Sequence, residues 1–134
     1  MADMKKAMAL YRGGFNCGQI VATFLSGPCG FDEREARAGL AGFGGGIHCG
    51  ETCSAVIGAV YSLGMYCGQR DPGDTAAKQK IGEMTEAFTK AFREKHGSLA
   101  CCELCTGELS SCAGYIETAE RLVTELIEGD RTQA

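Results

Sequence analysis

Apolar residues in this chain recur every three to four positions, the spacing of one helix face, and no segment shows the strict alternation of a half-buried strand. The clearest run is Ala77, Ile81, Met84, Phe88 and Phe92, which predicts a helix from an Asp74 cap to Lys95, closed by His96 and Gly97. A second covers Cys112, Tyr115, Ile116, Ala119, Leu122, Val123, Leu126 and Ile127, with Glu117, Glu120, Arg121 and Glu125 opposite. Asn16 reads as the cap of a helix whose stripe is Cys17, Ile20, Val21, Phe24 and Leu25. Asp32 to Glu35 has capping-box spacing and opens a short helix to about Leu40, after which Phe43 to Gly46 interrupts the chain. Glu51 and Thr52 precede another helix, whose apolar face begins at Cys53 and continues through Val56, Ile57 and Val60. The pattern predicts an all-α bundle of five to six helices, and no internal repeat suggests a solenoid.

Beside that last stripe lie Ser54, Ala55, Gly58, Ala59 and Ser62, a small-residue face that lets another backbone approach closely. A helix of the same chain or a homodimer seam would fit it equally well. Pro28, Pro72 and the glycines at 13–14, 42–46 and around Asp71 to Asp74 read as breaks between helices. A length of 134 residues fits one domain over 1–134, with enough chain to bury a core without disulfides.

Net charge is −4 with both signs interspersed, and no basic block or basic-aromatic surface pattern recommends nucleic acid. The longest apolar stretch, Ala55 to Tyr66, is too short and too interrupted to span a membrane. The first ten residues lack a signal-peptide core, so a reducing cytoplasm is the expected setting. Hydrolytic chemistry finds no support: no carboxylate pair sits in an apolar setting and no nucleophile elbow occurs. The glycines of Gly42 to Gly46 lack the Gly-Lys-Ser/Thr ending of a phosphate loop. His48 and His96, single histidines at helix edges, read as structural or solvated.

What remains distinctive is sulfur. The chain has nine cysteines, an odd number for a fully paired framework, and four of them, Cys17, Cys53, Cys101 and Cys112, fall at expected helix starts. Helix starts offer unpaired N–H groups and the positive end of the macrodipole, both of which favour thiolate. Ser98 before Cys101, and Ser110 or Ser111 before Cys112, repeat the arrangement of a cap followed by a cysteine. Four thiolates gathered from separate helices would form a soft cage suited to an iron–sulfur cluster or zinc. A zinc ribbon brings two C-x2-C knuckles, whereas here only Cys102 and Cys105 have that spacing. That pair also lacks the histidine of a haem attachment and the βαβ context of a thioredoxin motif, so Cys105 reads as an ordinary helix residue. Cys29 and Cys67 read as small buried hydrophobes, and Cys49, four residues before Cys53, as a spare ligand. Cys102 adjoins Cys101, and neighbours on a helix point about 100 degrees apart, so only one of them faces a given site.

These residues resemble a redox-active protein family named for four spaced cysteines and a C-G-A-x-x-G motif. The likeness rests on Asn16-Cys17-Gly18-Gln19, on Gly42 to Gly46 followed by Gly50 to Ala59, on Gly97 to Cys101, and on Cys112 with Tyr115. Ser54 stands where the motif has glycine, and Cys29, Cys49, Cys67, Cys102 and Cys105 lie outside the four-cysteine pattern. The resemblance implies redox activity, with a related domain in a cytochrome thought to carry an iron–sulfur cluster besides its haems. The combined expectation is an iron–sulfur cluster held by Cys17, Cys53, Cys101 and Cys112, passing electrons to a redox partner protein. The alternatives are a cofactor-free thiol–disulfide protein and a structural zinc or small-molecule-binding module.

Overall fold

A computed structural model describes residues 3–106 and 109–133. The elements are α1 (Met4–Arg12), α2 (Cys17–Cys29), α3 (Glu33–Leu40), α4 (Ser54–Cys67), α5 (Thr75–His96), α6 (Cys101–Leu104) and α7 (Leu109–Gln133). A 3-10 turn, Ala41–Phe43, and a wide turn, Gly46–Gly50, join α3 to α4. Among the described residues there is no strand, only an isolated antiparallel bridge between Thr52 and Ala100. The all-α expectation holds, but the described residues form seven helices rather than five to six.

The element that the sequence reading lacks is the N-terminal one. The N-terminal helix α1 forms because the Asp3 carboxylate accepts hydrogen bonds from the N–H groups of Lys5 and Lys6, while Ala7 is fully buried. The helix expected to begin at Cys101 does so, but α6 is a single turn. Pro28 is not a break: it sits in the last turn of α2, where the N–H it lacks removes only one terminal bond, and Gly30 in the left-handed region ends the helix. The reciprocal capping box belongs to α2, where Asn16 and Gln19 satisfy one another's backbone N–H, whereas Asp32 caps α3 through its own carboxylate. Asp74 caps α5 and Gly97 closes it in the left-handed region, as the sequence predicts.

The main core joins Ile20, Val21 and Leu25 of α2 to Val56, Ala59 and Leu63 of α4. Phe88 and Phe92 of α5 and Ile116, Val123 and Ile127 of α7 complete it. A smaller cluster of Ala22, Ala36 and Leu40 holds α3 to the outer side of α2. Glu120, on the polar face by sequence, is buried, and the Thr124 hydroxyl donates to its carboxylate at 3.3 Å.

The small-residue face of α4 is filled from within the chain, by α2. A Cβ on Gly58 would stand 2.4 Å from the Gly18 carbonyl oxygen, and one on Gly18 would stand 2.6 Å from the Ser54 carbonyl oxygen. Neither backbone can retreat without parting the two helices, so these glycines set how closely α2 and α4 run. The contact brings the starts of both helices together, and with them Cys17 and Cys53.

A candidate thiol cavity

Cys17 is the first residue of α2, and Cys53 is the N-cap of α4. Cys101 opens α6, and Cys112 is the fourth residue of α7. All four line one cavity of about 320 Å³. Two details differ from the sequence reading. The N-cap of α6 is Ala100, with the Ser98 hydroxyl accepting from the Ala100 N–H at 3.0 Å. The last helix starts at Leu109, so Ser110 and Ser111 lie inside it and Cys112 stands one turn in.

Backbone contacts fix the arrangement. The Cys53 N–H donates to the Leu99 carbonyl at 2.7 Å, and the Cys101 N–H donates to the Glu51 carbonyl, which ties the approach to α4 against the approach to α6. Gly46, with φ 64°, lies under this pair, and a Cβ there would meet the Cys101 Cβ at 2.6 Å and the Glu51 N at 2.6 Å. Ile47 and His48 are carried into left-handed conformations, φ 59° and 56°, to complete the turn, a costly arrangement for a β-branched side chain. On the far wall, the Tyr115 hydroxyl donates to the Leu104 carbonyl at 2.6 Å, joining α7 to the end of α6. Tyr115 is held in turn edge-on against His96, with ring centroids 4.8 Å apart.

The sulfurs influence one another. Cys17 and Cys112 share a side-chain hydrogen bond, which with burial and the charges of Cys112 and Cys53 drives the Cys17 thiol well above the ordinary range. The Ser54 hydroxyl opposes this by hydrogen bonding to Cys17, and it also accepts from the Gly18 N–H at 3.3 Å. Serine at the motif's glycine position therefore leaves the close helix approach intact and adds a donor to the site. Burial pushes the Cys53 thiol up; its side chain makes no full cap hydrogen bond, yet the N–H groups of Ala55 and Val56 lie near enough to favour its thiolate. Cys101 is raised by burial and then by the charges of Cys105, Cys112 and Cys102. Among the described residues, no Asp, Glu, Lys, Arg or His side chain lines the cavity.

Three lining residues escape the sequence reading. Cys105, expected to be an ordinary helix residue, is the exposed C-cap of α6; it lines the cavity, and its charge is the foremost thiol influence on Cys101. Its position one turn after Cys101 was the available signal. Tyr11, hydrogen bonded to Cys112, comes from α1 and had no signal, and Phe15 comes from the loop between α1 and α2. Cys29, Cys49, Cys67 and Cys102 do not line the cavity. Nor do the histidines: His96 pairs with the Thr118 hydroxyl at 2.9 Å, and His48 belongs to the left-handed turn.

The donor set is soft and uncharged when protonated, which fits thiophilic iron or zinc chemistry and not a hard cation. Among the described residues, no group of three or more His, Cys, Asp or Glu side chains is arranged to hold a metal ion. No helix of the described residues is long and apolar enough to cross a membrane. Residues 15–126 match the model of the family described as "putative redox-active protein (C_GCAxxG_C_C)". No curated protein and no solved structure matches the chain significantly.

Proposed function

Because the chain belongs to that redox-active family, we propose that it binds an iron–sulfur cluster through Cys17, Cys53, Cys101 and Cys112 and exchanges electrons with a redox partner protein. The observation that supports this is the common cavity: sulfurs up to 95 positions apart in sequence, 17 to 112, line a single space of about 320 Å³. A bound cluster would supply one-electron chemistry at a potential set by its surroundings.

The chain's own residues would prepare that site in three ways. Cys17, Cys53 and Cys101 carry raised pKa values caused in part by neighbouring thiols, so a cation that neutralises one relieves the others and releases protons on binding. The Ser54 hydroxyl and the N–H groups of Ala55 and Val56 hold positive dipole toward Cys17 and Cys53, which stabilises charge on sulfur and raises a reduction potential. Phe15, Leu104 and the rings of Tyr11 and Tyr115 surround the sulfurs with apolar surface that limits water.

Purification without oxygen, followed by iron and acid-labile sulfide analysis, tests the reading. Iron with matching sulfide and visible absorption is expected, and both should fall sharply in Cys53→Ser. Colourless, iron-free protein that cannot be reconstituted would defeat it, and zinc without sulfide would replace it with a structural metal site. A second reading, cofactor-free thiol–disulfide exchange, has one observation of its own in the hydrogen bond between Cys17 and Cys112. A reversible disulfide between those two in metal-free protein, with no sulfide recovered, would favour it.

A further inference from the structure

We propose that Cys101 and Cys105 form a reversible dithiol at the mouth of the cavity, oxidised to a disulfide by low-molecular-weight disulfides. Both residues line the cavity, and their thiols lie near enough to influence one another. The Cys105 N–H donates to the Cys101 carbonyl at 2.8 Å, which sets the residues one above the other across a single turn. Residues so spaced hold their Cβ atoms about 5–6 Å apart, and a disulfide draws its Cβ atoms to about 3.5–4.5 Å. The remaining closure falls on a residue free to make it. Cys105 has left the helical path, with φ −79° and ψ 120°, and α6 is only four residues long, so drawing the sulfurs together unwinds no long helix.

Access orders the reaction. Cys105 is exposed and Cys101 half-buried, so a dissolved disulfide meets Cys105 first. The Cys105 thiolate attacks one sulfur of the small disulfide, breaking its S–S bond, forming a mixed disulfide and releasing one thiol. The Cys101 thiolate then attacks the Cys105 sulfur, expelling the second thiol and forming the Cys101–Cys105 bond. Two protein thiols are oxidised by two electrons, and one small disulfide is reduced to two thiols. The product removes Cys101 from the four-sulfur set. This last consequence rests on the cluster reading, whereas the pairing itself does not.

The test uses the full chain in two forms. Reduced, metal-free protein is incubated with oxidised glutathione, free thiols are blocked with a maleimide, and the chain is cleaved after Lys95, Glu103 and Glu108. The expected product links the peptide 96–103 to the peptide 104–108. It should persist in Cys102→Ser and vanish in Cys105→Ser, where Cys101 retains a glutathione adduct instead. A link lost in Cys102→Ser, a Cys17–Cys112 link formed first, or Cys105 recovered as its maleimide adduct would each overturn the proposal. In iron-loaded protein, oxidised glutathione should strip iron several-fold faster from the wild type than from Cys105→Ser. Equal rates would refute the consequence for loading. Protein that never carries iron would refute the cluster reading, while the peptide map still decides the pairing.

Discussion

Two helices of this protein carry a cysteine at each end, and the two ends behave differently. Cys17 begins α2 and Cys29 ends it; Cys53 caps the start of α4 and Cys67 ends it. At the starts, the sulfurs border a shared cavity, and what raises the Cys17 thiol most is another thiol, Cys112. At the far ends burial dominates, and the thiol neighbour there, Cys67 beside Cys29, is the least of the influences on it. Cys29 is pushed up to about 11 chiefly by burial, with Arg131 pulling the other way, and Cys67 donates to the Met84 sulfur at 3.7 Å. Thiols that share one cavity can be released together by a cation that all of them bind, whereas a thiol buried in helix packing away from that cavity stays neutral and inert. Residue type alone does not separate a reactive cysteine from a packing one; its neighbours and the helix end do.

The comparison breaks most severely if the helix starts are forced apart. Gly58→Ala would place a methyl 2.4 Å from the Gly18 carbonyl, a backbone atom that cannot rotate away. We expect about 3 kcal/mol of destabilisation or more, at the upper end of overpacking costs. Gly64→Ala, on the same helix but with nothing within 4 Å of the added carbon, provides the control. It should be neutral or stabilising by about 0.5–1 kcal/mol through helix propensity. Urea titrations of the two variants read both effects, and similar losses in each would show that the close approach of α2 and α4 has no special energetic role.

Alkaline titration sharpens the contrast at somewhat smaller scale. For a thiol whose folded pKa is raised, the unfolded chain loses its proton first, so stability is fully present below the ordinary thiol value and declines as pH rises toward the folded one. Cys29, raised to about 11, should by itself cost roughly 2–3 kcal/mol between pH 8 and pH 11. Cys17 and Cys53 add a loss of the same sign in metal-free protein. Metal loading should remove the share of the cavity thiols and leave that of Cys29, which Cys29→Ala would identify by its flatter profile. At the acid end, His96 is held below its usual range by burial and by Lys95 and Arg121. It therefore contributes stability above its unfolded pKa that fades as pH falls, and His96→Gln should lessen the decline between pH 7 and pH 5.

How far the sequence announced all this differs between helices and cavity. The long elements were legible because Asp74, Gly97 and the stripe from Ala77 to Phe92 agree on one answer, and α5 runs as they indicate. The N-terminal helix α1 was not, because its one fully buried side chain is a single alanine, Ala7, and Tyr11 entered the cavity wall unannounced with it. The small-residue face was legible as a contact but not as to its partner, since glycine spacing says that a backbone comes near and not which one. Only the Gly18–Gly58 approach shows it to be α2. Cys105 was obscured by its neighbour: paired with Cys102 it makes an unconvincing C-x2-C, and its meaningful spacing is to Cys101, four residues back.

The smallest expected effect concerns the residue that departs from the family motif. Ser54 is buried, accepts from the Gly18 N–H, and is the one side chain whose hydrogen bond lowers the Cys17 pKa while Cys112, burial and Cys53 all raise it. Ser54→Ala keeps the size of the contact nearly constant and deletes that donor. Cys17 should then ionise less readily, and in metal-free protein its alkylation at pH 8 should slow by a factor of about 3–10, the range of a single hydrogen bond to a charged partner weakened by partial solvent access. Cys67, at the other end of α4, should react at its wild-type rate in the same sample, because Ser54 belongs to the first turn and Cys67 to the last. If both cysteines slow together, the serine acts on the packing of α4 as a whole. If neither changes, the N–H groups at the helix start suffice, and the motif's glycine would have served Cys17 as well.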